Sequence, residues 1–198
     1  MLKRLFDIVM SAFALIIFSP ILAVVALIIK ITSPGPVFYR GVRAGRHNKD
    51  FRIYKFRSMI VDAEKTGVSS TTKDDDRITP IGKFVRATKL DEFPQLINVF
   101  KGEMSFVGPR PEVKKFTDMY QGEELKIWEL KPGITDYASI DNVDEGEVLK
   151  DSINPDKDYL EKIRPGKIAL QLKYYREQSF WTDIKIIWLT FRKLVFRK

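Results

Sequence analysis

Leu5-Phe6-Asp7-Ile8-Val9-Met10-Ser11-Ala12-Phe13-Ala14-Leu15-Ile16-Ile17-Phe18-Ser19-Pro20-Ile21-Leu22-Ala23-Val24-Val25-Ala26-Leu27-Ile28-Ile29 is apolar apart from Asp7, Ser11 and Ser19, with Lys3 and Arg4 before it and Lys30 after it. About 20 apolar residues suffice to span a hydrocarbon core of about 30 Å, so length alone allows a crossing. Three features favour a re-entrant helix-break-helix that enters and leaves by one face. Proline at Ser19-Pro20 removes a backbone donor and clashes with the preceding turn, which predicts a break there. Cations flank both ends, and Arg40, Arg43, Arg46, Lys49 and Arg52 follow closely, so the positive-inside rule places both ends on the cytoplasmic side. Asp7 is easier to keep at an interface than at depth. A single crossing and a buried soluble helix remain open. No small-residue cleavage site follows, so a cleaved signal peptide is not expected.

The other end of the chain repeats the theme. Phe180, Ile184, Ile187, Phe191 and Leu194 recur at steps of four and three, with Lys185, Arg192, Lys193, Arg197 and Lys198 around and beyond them. Such a helix fits either the headgroup layer or the face of a core, and Trp181 and Trp188 favour the interface. Between the two ends, 198 residues make one compact unit. A net charge of +8 fits nucleic acid, an anionic membrane or a phosphate-rich substrate equally. With no cysteine and His47 as the single histidine, disulfides, thiolate chemistry, cysteine-rich zinc sites and histidine triads are excluded. Any chemistry falls to carboxylates, Lys, Arg, Tyr or hydroxyls.

After Pro34-Gly35-Pro36, the runs Val37 to Arg40 and Phe51 to Met59 read as a β-hairpin joined through Gly41 and Gly45. Alternation puts Phe51, Ile53, Lys55 and Arg57 on one face, so Lys55 either meets an anion inside or snorkels to solvent. Asp62 to Arg77 lacks an apolar period and reads as a mobile loop, with Asp74-Asp75-Asp76 as solvated acids. Thr79-Pro80 opens a helix as N-cap and first-turn proline, supported by Ile81, Phe84, Val85 and Leu90. A second helix runs from Pro94 to about Lys101, where Gly102 stops it.

Asp91-Glu92 falls just before that second helix, where the backbone dipole favours ionised carboxylates. Two readings stand: plain helix capping, or a carboxylate nucleophile with a neighbour that helps hold Mg²⁺ through phosphate oxygens. Gly108-Pro109-Arg110-Pro111 stiffens the backbone around Arg110 and suits a bidentate phosphate contact. Lys131-Pro132-Gly133-Ile134-Thr135 is another stiff turn beside a cation, equally consistent with a plain surface turn. The acid-rich stretch from Asp136 to Glu161 suggests no chemistry.

Taken together, the pieces resemble the small monotopic phosphoglycosyl transferases of bacteria, the bacterial sugar transferase family. The resemblance rests on Ser19-Pro20, Phe51-Arg52-Ile53-Tyr54-Lys55-Phe56-Arg57-Ser58-Met59, and Arg77-Ile78-Thr79-Pro80-Ile81-Gly82-Lys83-Phe84-Val85-Arg86. It continues in Leu90-Asp91-Glu92-Phe93-Pro94-Gln95-Leu96-Ile97-Asn98-Val99, Lys101-Gly102-Glu103-Met104-Ser105-Phe106-Val107-Gly108-Pro109-Arg110-Pro111 and Lys131-Pro132-Gly133-Ile134-Thr135. These motifs cover most of residues 1 to 135 in a specific order. The resemblance implies transfer of a sugar-1-phosphate from a UDP-sugar to undecaprenyl phosphate with release of UMP, a first membrane step of capsule, exopolysaccharide, O-antigen or glycoprotein assembly. It implies Asp91 as nucleophile forming a covalent phosphosugar, Glu92 assisting with Mg²⁺, and Lys55, Arg86 and Arg110 as the phosphate-binding wall. Departures begin after Thr135: Asp136-Tyr137-Ala138-Ser139-Ile140-Asp141-Asn142-Val143 replaces the usual continuation, its expected arginine is missing, and Gln171 stands at a family aspartate position, whereas Asp183 matches. No binding role carries over to Asp136 through Gln171.

The expected fold is α+β, mostly helical with a small β-hairpin or sheet, in one domain over residues 1–198. Residues 1–33 are membrane-embedded, 34–179 form a cytoplasmic catalytic part and 180–198 an amphipathic helix. The extra transmembrane domain of longer relatives has no expected counterpart. The expected partners are a UDP-sugar, undecaprenyl phosphate and membrane lipids, at the cytoplasmic face of the inner membrane, with self-association open and nucleic acid excluded. The alternative is a non-catalytic peripheral protein that binds anionic lipid.

Overall fold

Helix α1 (Leu2–Thr32) meets the rest of the chain through a stripe set by its sequence. Asp7, Ser11, Val25 and Ile29 are buried along it, Phe18 meets the Phe93 ring edge-on at 5.0 Å, and Leu22 and Ala26 pack beside Val25. Those positions recur at three, four or seven residues, the repeat that keeps one helix face against a neighbour. The opposite face leaves Leu5, Val9, Phe13, Ile17, Ile21, Val24, Leu27, Ile28 and Ile31 exposed. By length and composition alone α1 could cross a membrane. This computed structural model describes residues 1–72, 74–141 and 145–196, with the side chains of 194 and 195 outside the description.

The expected break at Ser19-Pro20 is corrected: α1 is continuous, with Pro20 inside it. The reason is local. Proline cannot donate to the carbonyl four residues back, and that carbonyl, Ile16, instead accepts from Ser19 Oγ at 2.8 Å. The helix loses a backbone bond at Pro20 without leaving that acceptor bare.

The predicted hairpin forms. Strands β1 (Phe38–Tyr39), β2 (Val42–Ala44), β3 (Asp50–Arg52) and β4 (Lys55–Phe56) fold back antiparallel, Phe38 opposite Phe56, Tyr39 opposite Lys55 and Val42 opposite Arg52. Both hairpin faces are used. Phe51 and Ile53 pack on Val99 and Met104, while Phe56 joins Val25, Ile29 and Val85. Each such buried side chain contributes about 1.5–3 kcal/mol by leaving water, so the hairpin and α1 share one apolar core.

Among the described residues from Asp62 to Arg77, a short 3₁₀ turn forms at Ala63–Thr66, and Arg77 ties several of them together. The Arg77 guanidinium pairs with Asp75 at 2.6 Å and also donates to Ala63 O, Thr66 Oγ1 and Val68 O. Helix α2 (Pro80–Ala87) starts as predicted, Thr79 Oγ1 accepting from Gly82 N at 3.0 Å. Helix α3 (Gln95–Lys101) ends at Gly102, whose φ of 89° is the left-handed conformation that glycine adopts freely.

Strand β5 (Ser105–Val107) precedes the short α4 (Lys114–Thr117) and pairs in parallel with β6 (Gly133–Thr135). The Lys131 to Thr135 segment is therefore a strand partner inside the fold, not a plain surface turn. Then come α5 (Tyr137–Asp141), α6 (Glu145–Val148), α7 (Pro155–Asp158), α8 (Arg164–Glu177) and α9 (Phe180–Val195). Asn142 and Val143 of the divergent segment lie outside the described residues. Helix α9 serves both roles considered for it: Ile186 is buried with Val107, Leu130 and Tyr174, while Trp181, Trp188 and Phe191 stay exposed. The expected contributions of Leu194, Arg197 and Lys198 lie outside the description. The α+β class, mostly helical, holds.

Candidate active site

Asp91 and Glu92 occupy a 3₁₀ turn, Leu90–Glu92, between α2 and α3, entered through Lys89 in the left-handed region at φ 59°. Leu90 anchors the turn in the core shared with α1. Neither carboxylate caps a helix: the α3 N-cap is Pro94, and no side-chain cap bond forms at either element. The capping reading therefore has no hydrogen bond behind it.

The two neighbours sit in opposite environments. Glu92 accepts Lys55 Nζ at 2.9 Å and Arg110 Nη2 on Oε1, and Arg110 Nη1 at 3.2 Å on Oε2. Burial opposes its ionisation, but Arg110 and Lys55 outweigh burial and hold the carboxyl well below the ordinary range. Asp91 is 7% exposed, and among the described residues its carboxylate has no hydrogen bond. Burial raises its pKa, opposed by Lys55, reinforced by the adjacent Glu92 charge, and opposed again by Arg86 and Arg110. Burial also lowers the Lys55 pKa despite its pairing with Glu92.

Each cation is placed by a separate device. Asn98, fully buried on α3, takes Tyr54 N at 2.8 Å on its oxygen and donates to Arg52 O at 2.9 Å. That staple fixes the strand end carrying Lys55. Arg110 follows β5, whose exit is tied to β6 by Gly108 N to Thr135 O at 3.0 Å and Gly133 N to Pro109 O at 2.9 Å. A Cβ on Gly133 would lie 2.1 Å from Gly108 N, so the two glycines are what let the chains approach. Arg86 reaches the site from α2 by charge, acting on Asp91.

Lys55, Arg86, Asp91, Glu92 and Arg110 all line one open cleft of about 1890 Å³, which also touches Ala14 and Phe18 of α1. That volume holds a nucleotide-sugar with room to spare. The expected site residues therefore share a cleft, though Lys55 and Arg110 spend hydrogen bonds on Glu92. Part of the wall comes from where no chemistry was expected: Glu112, Glu145, Tyr159 and Lys167. No spacing signal links these four, because they come from separate places in the sequence: Glu112 before α4, Glu145 on α6, Tyr159 just after α7 and Lys167 on α8.

A divalent cation can be tested against this donor set. Among the described residues no three acidic or histidine side chains gather at ligand spacing. Two adjacent carboxylates, one without a hydrogen bond, still fit Mg²⁺, which takes one or two carboxylates and completes its shell with substrate phosphates and water.

Comparison with known proteins gives the same family as the motifs. Residues 1–197 match the bacterial sugar transferase family. A UDP-glucose:undecaprenyl-phosphate glucose-1-phosphate transferase of Escherichia coli K12 is 42% identical over 194 residues, 96% of this chain and 39% of that protein. A UDP-N-acetylgalactosamine-undecaprenyl-phosphate N-acetylgalactosaminephosphotransferase of Aeromonas hydrophila is 34% identical over 198 residues, 98% of this chain and 44% of that protein. A Bacillus subtilis protein described as an uncharacterized sugar transferase is 35% identical over 194 residues and covered over 87% of its length. The chain thus spans about two fifths of the length of the first two relatives. With its motifs in order and the match running nearly end to end, the chain belongs to the bacterial sugar transferase family.

Proposed function

We propose that the chain transfers a sugar-1-phosphate from a UDP-sugar to undecaprenyl phosphate and releases UMP. The observation that carries this reading is Asp91, a buried residue whose carboxylate has no hydrogen bond among the described residues, in a cleft lined by Lys55, Arg86 and Arg110. A group held this way is poorly solvated and therefore reactive toward phosphorus. An Asp91 oxygen attacks the β-phosphorus, a new P–O bond forms, and the bond to the bridging oxygen breaks, so UMP leaves with that oxygen. A phosphate oxygen of the lipid then attacks the same phosphorus, yielding the lipid diphosphate sugar and freeing the Asp91 carboxylate.

Glu92 holds Lys55 and Arg110 at the cleft wall, and Arg86 adds charge where the phosphoryl oxygens lie in this reading. Asp91 and Glu92 would hold Mg²⁺, which supplies charge neutralisation on the diphosphate. The lipid reading is supported by Ala14 and Phe18 of α1 at the cleft edge. Insertion of α1 from the cytoplasmic face without crossing is supported by its attachments. Lys3, Arg4 and Asp7 near one end and Ser33 just past the other bond to the same globular part. The exposed face of α1 is then what enters the lipid, alongside Trp181 and Trp188 of α9. The product opens a glycan assembly sequence in the membrane.

Membranes carrying the full chain, incubated with a panel of UDP-sugars and undecaprenyl phosphate, are expected to release UMP. Intact-mass analysis without the lipid acceptor is expected to find a sugar-phosphate adduct that Asp91→Asn abolishes. No UMP from any donor would favour a lipid-binding protein without catalysis, and undiminished turnover by Asp91→Asn would remove the covalent step.

A further inference from the structure

The cleft holds a second charged group that the reaction outlined above leaves unused. Lys167 of α8 is 3% exposed, and its ammonium meets Glu112 at 2.9 Å, Glu145 at 3.2 Å and the Tyr159 hydroxyl at 3.1 Å. One cation thus serves two carboxylates. Glu112 also accepts from Tyr159 at 2.7 Å through Oε1, and its Oε2 is buried with no partner. Both carboxylates line the cleft that contains Asp91. Glu145 is the more accessible, with a side chain 33% exposed.

Burial works against ionisation of Glu145, but Lys167 and Arg110 prevail, and its carboxyl lies below the ordinary range. Ionised, it only accepts hydrogen bonds. It cannot approach phosphate oxygens without repulsion, and Lys167 is too enclosed to bridge the two. What such a carboxylate can accept from in the cleft is an O–H or N–H donor, and hydroxyls are the donors every nucleotide-sugar carries in number. A nucleotide-sugar carries hydroxyls in two places, the transferred sugar and the ribose.

Resting on the phosphoglycosyl transfer reading above, we propose that Glu145, held by Lys167, is a specificity-determining residue that accepts a hydrogen bond from a donor hydroxyl. The contact belongs to binding of the donor rather than to bond breaking. Its loss therefore acts on KM more than on kcat, and only for donors that carry the hydroxyl. A charge-assisted hydrogen bond of this kind corresponds to roughly tenfold to hundredfold in kcat/KM.

The test uses the full chain in membranes, with UMP release measured for the parent, Glu145→Gln and Glu145→Ala. Donors are UDP-sugars lacking one hydroxyl at a time, on the transferred sugar or on the ribose. With the complete donor, Glu145→Ala is expected to lose roughly tenfold to hundredfold in kcat/KM through KM, and the isosteric Glu145→Gln less. With one deoxy donor that loss is expected to vanish, because the parent has already lost the contact. Cancellation on a deoxy-sugar places the contact on the transferred group, and cancellation on a deoxyribose places it on the nucleotide. An equal loss for every donor, a loss confined to kcat, or no loss in either variant overturns the inference. A folded Glu145→Gln, checked by its melting temperature, keeps the result readable should Glu145→Ala unfold. If the parent releases no UMP from any donor, the underlying reaction fails and this inference with it. If the parent is active and both variants match it, this inference alone fails.

Discussion

Two charged clusters, one at the start of α1 and one in the cleft, differ in how their carboxylates are partnered. At the start of α1, Asp7 is 2% exposed and accepts from Ser105 Oγ and from Phe106 N, both at 3.1 Å. Beside it Lys3 donates to Val107 O at 2.9 Å, Tyr174 OH at 3.0 Å and Asp183, while Arg4 donates to Val99 O and Phe100 O at the end of α3. Every charge there has an answer. In the cleft, Glu92 is paired with Lys55 and Arg110, but among the described residues no hydrogen bond reaches the Asp91 carboxylate beside it. A carboxylate filled by protein partners holds a structure together, whereas one that opens on a cleft without them stays available to a substrate.

The sharpest way to break this contrast is to neutralise Asp91. Asp91→Asn is expected to lower turnover by about 10³-fold or more, since no neighbour can take over as nucleophile. Stability is expected to move the other way or not at all. The Asp91 pKa is raised on folding, so its ionised form costs stability above the folded value, and that cost disappears as pH falls through it. Asparagine mimics the protonated form. Thermal melting at neutral pH should therefore place Asp91→Asn at or above the parent, with the gap closing in acid. A marked drop in melting temperature would mean that Asp91 is structural.

The reciprocal change is Asp7→Ala. It leaves Ser105 Oγ and the Phe106 amide without their acceptor, and each such buried group costs about 1–3 kcal/mol. Denaturant unfolding is expected to show a loss of about 2–4 kcal/mol. UMP release per folded molecule should stay close to that of the parent. A selective fall in rate with stability intact would place Asp7 in the chemistry and erase the contrast.

The sequence made the two clusters unequally readable. Asp91-Glu92 stood out through a motif, and the Thr79 cap, Gly102 stop and hairpin followed from local chemistry. Lys3 reads as a flank of the apolar run and Asp7 as a residue for the membrane interface, because their partners inside the protein lie roughly 100 to 180 residues away. A shorter separation, 44 and 46 residues, likewise hid Asn98 as the staple behind Lys55. Glu112, Glu145, Tyr159 and Lys167 converge only through packing, and for the last three the departure from the family pattern after Thr135 removes the one guide. At Ser19-Pro20 the proline was read correctly as a lost donor, but not the serine that compensates for it.

A pH profile sharpens the contrast further. Burial raises Asp91 and lowers Lys55. Activity needs Asp91 ionised and Lys55 charged. The acid limb of kcat/KM should thus fall above the ordinary aspartate value of about 3.9, and the alkaline limb below the ordinary lysine value of about 10.4. The result is a bell narrowed from both sides. In Glu92→Gln, Asp91 loses a like charge, which lowers its pKa, and the acid limb should move down. An acid limb at or below about 3.9 in the parent would show that the cations outweigh burial at Asp91.

The smallest effect tests whether satisfaction also governs α1 away from either cluster. Ser19 Oγ covers Ile16 O, the acceptor that Pro20 leaves open. Ser19→Ala removes that cover at an exposed site, where an ordinary protein hydrogen bond amounts to about 0.5–1.5 kcal/mol. In a membrane the carbonyl would find no water, so the loss should approach the upper end there and the lower end in a detergent that admits water. Comparing the melting shift of Ser19→Ala in bilayer discs and in detergent reads that difference directly. Equal shifts would mean that Ile16 O faces water in both, so that this stretch of α1 does not lie within the hydrocarbon. A larger shift in the bilayer shows that Ser19 satisfies Ile16 O away from water, as Ser105 and the Phe106 amide satisfy Asp7.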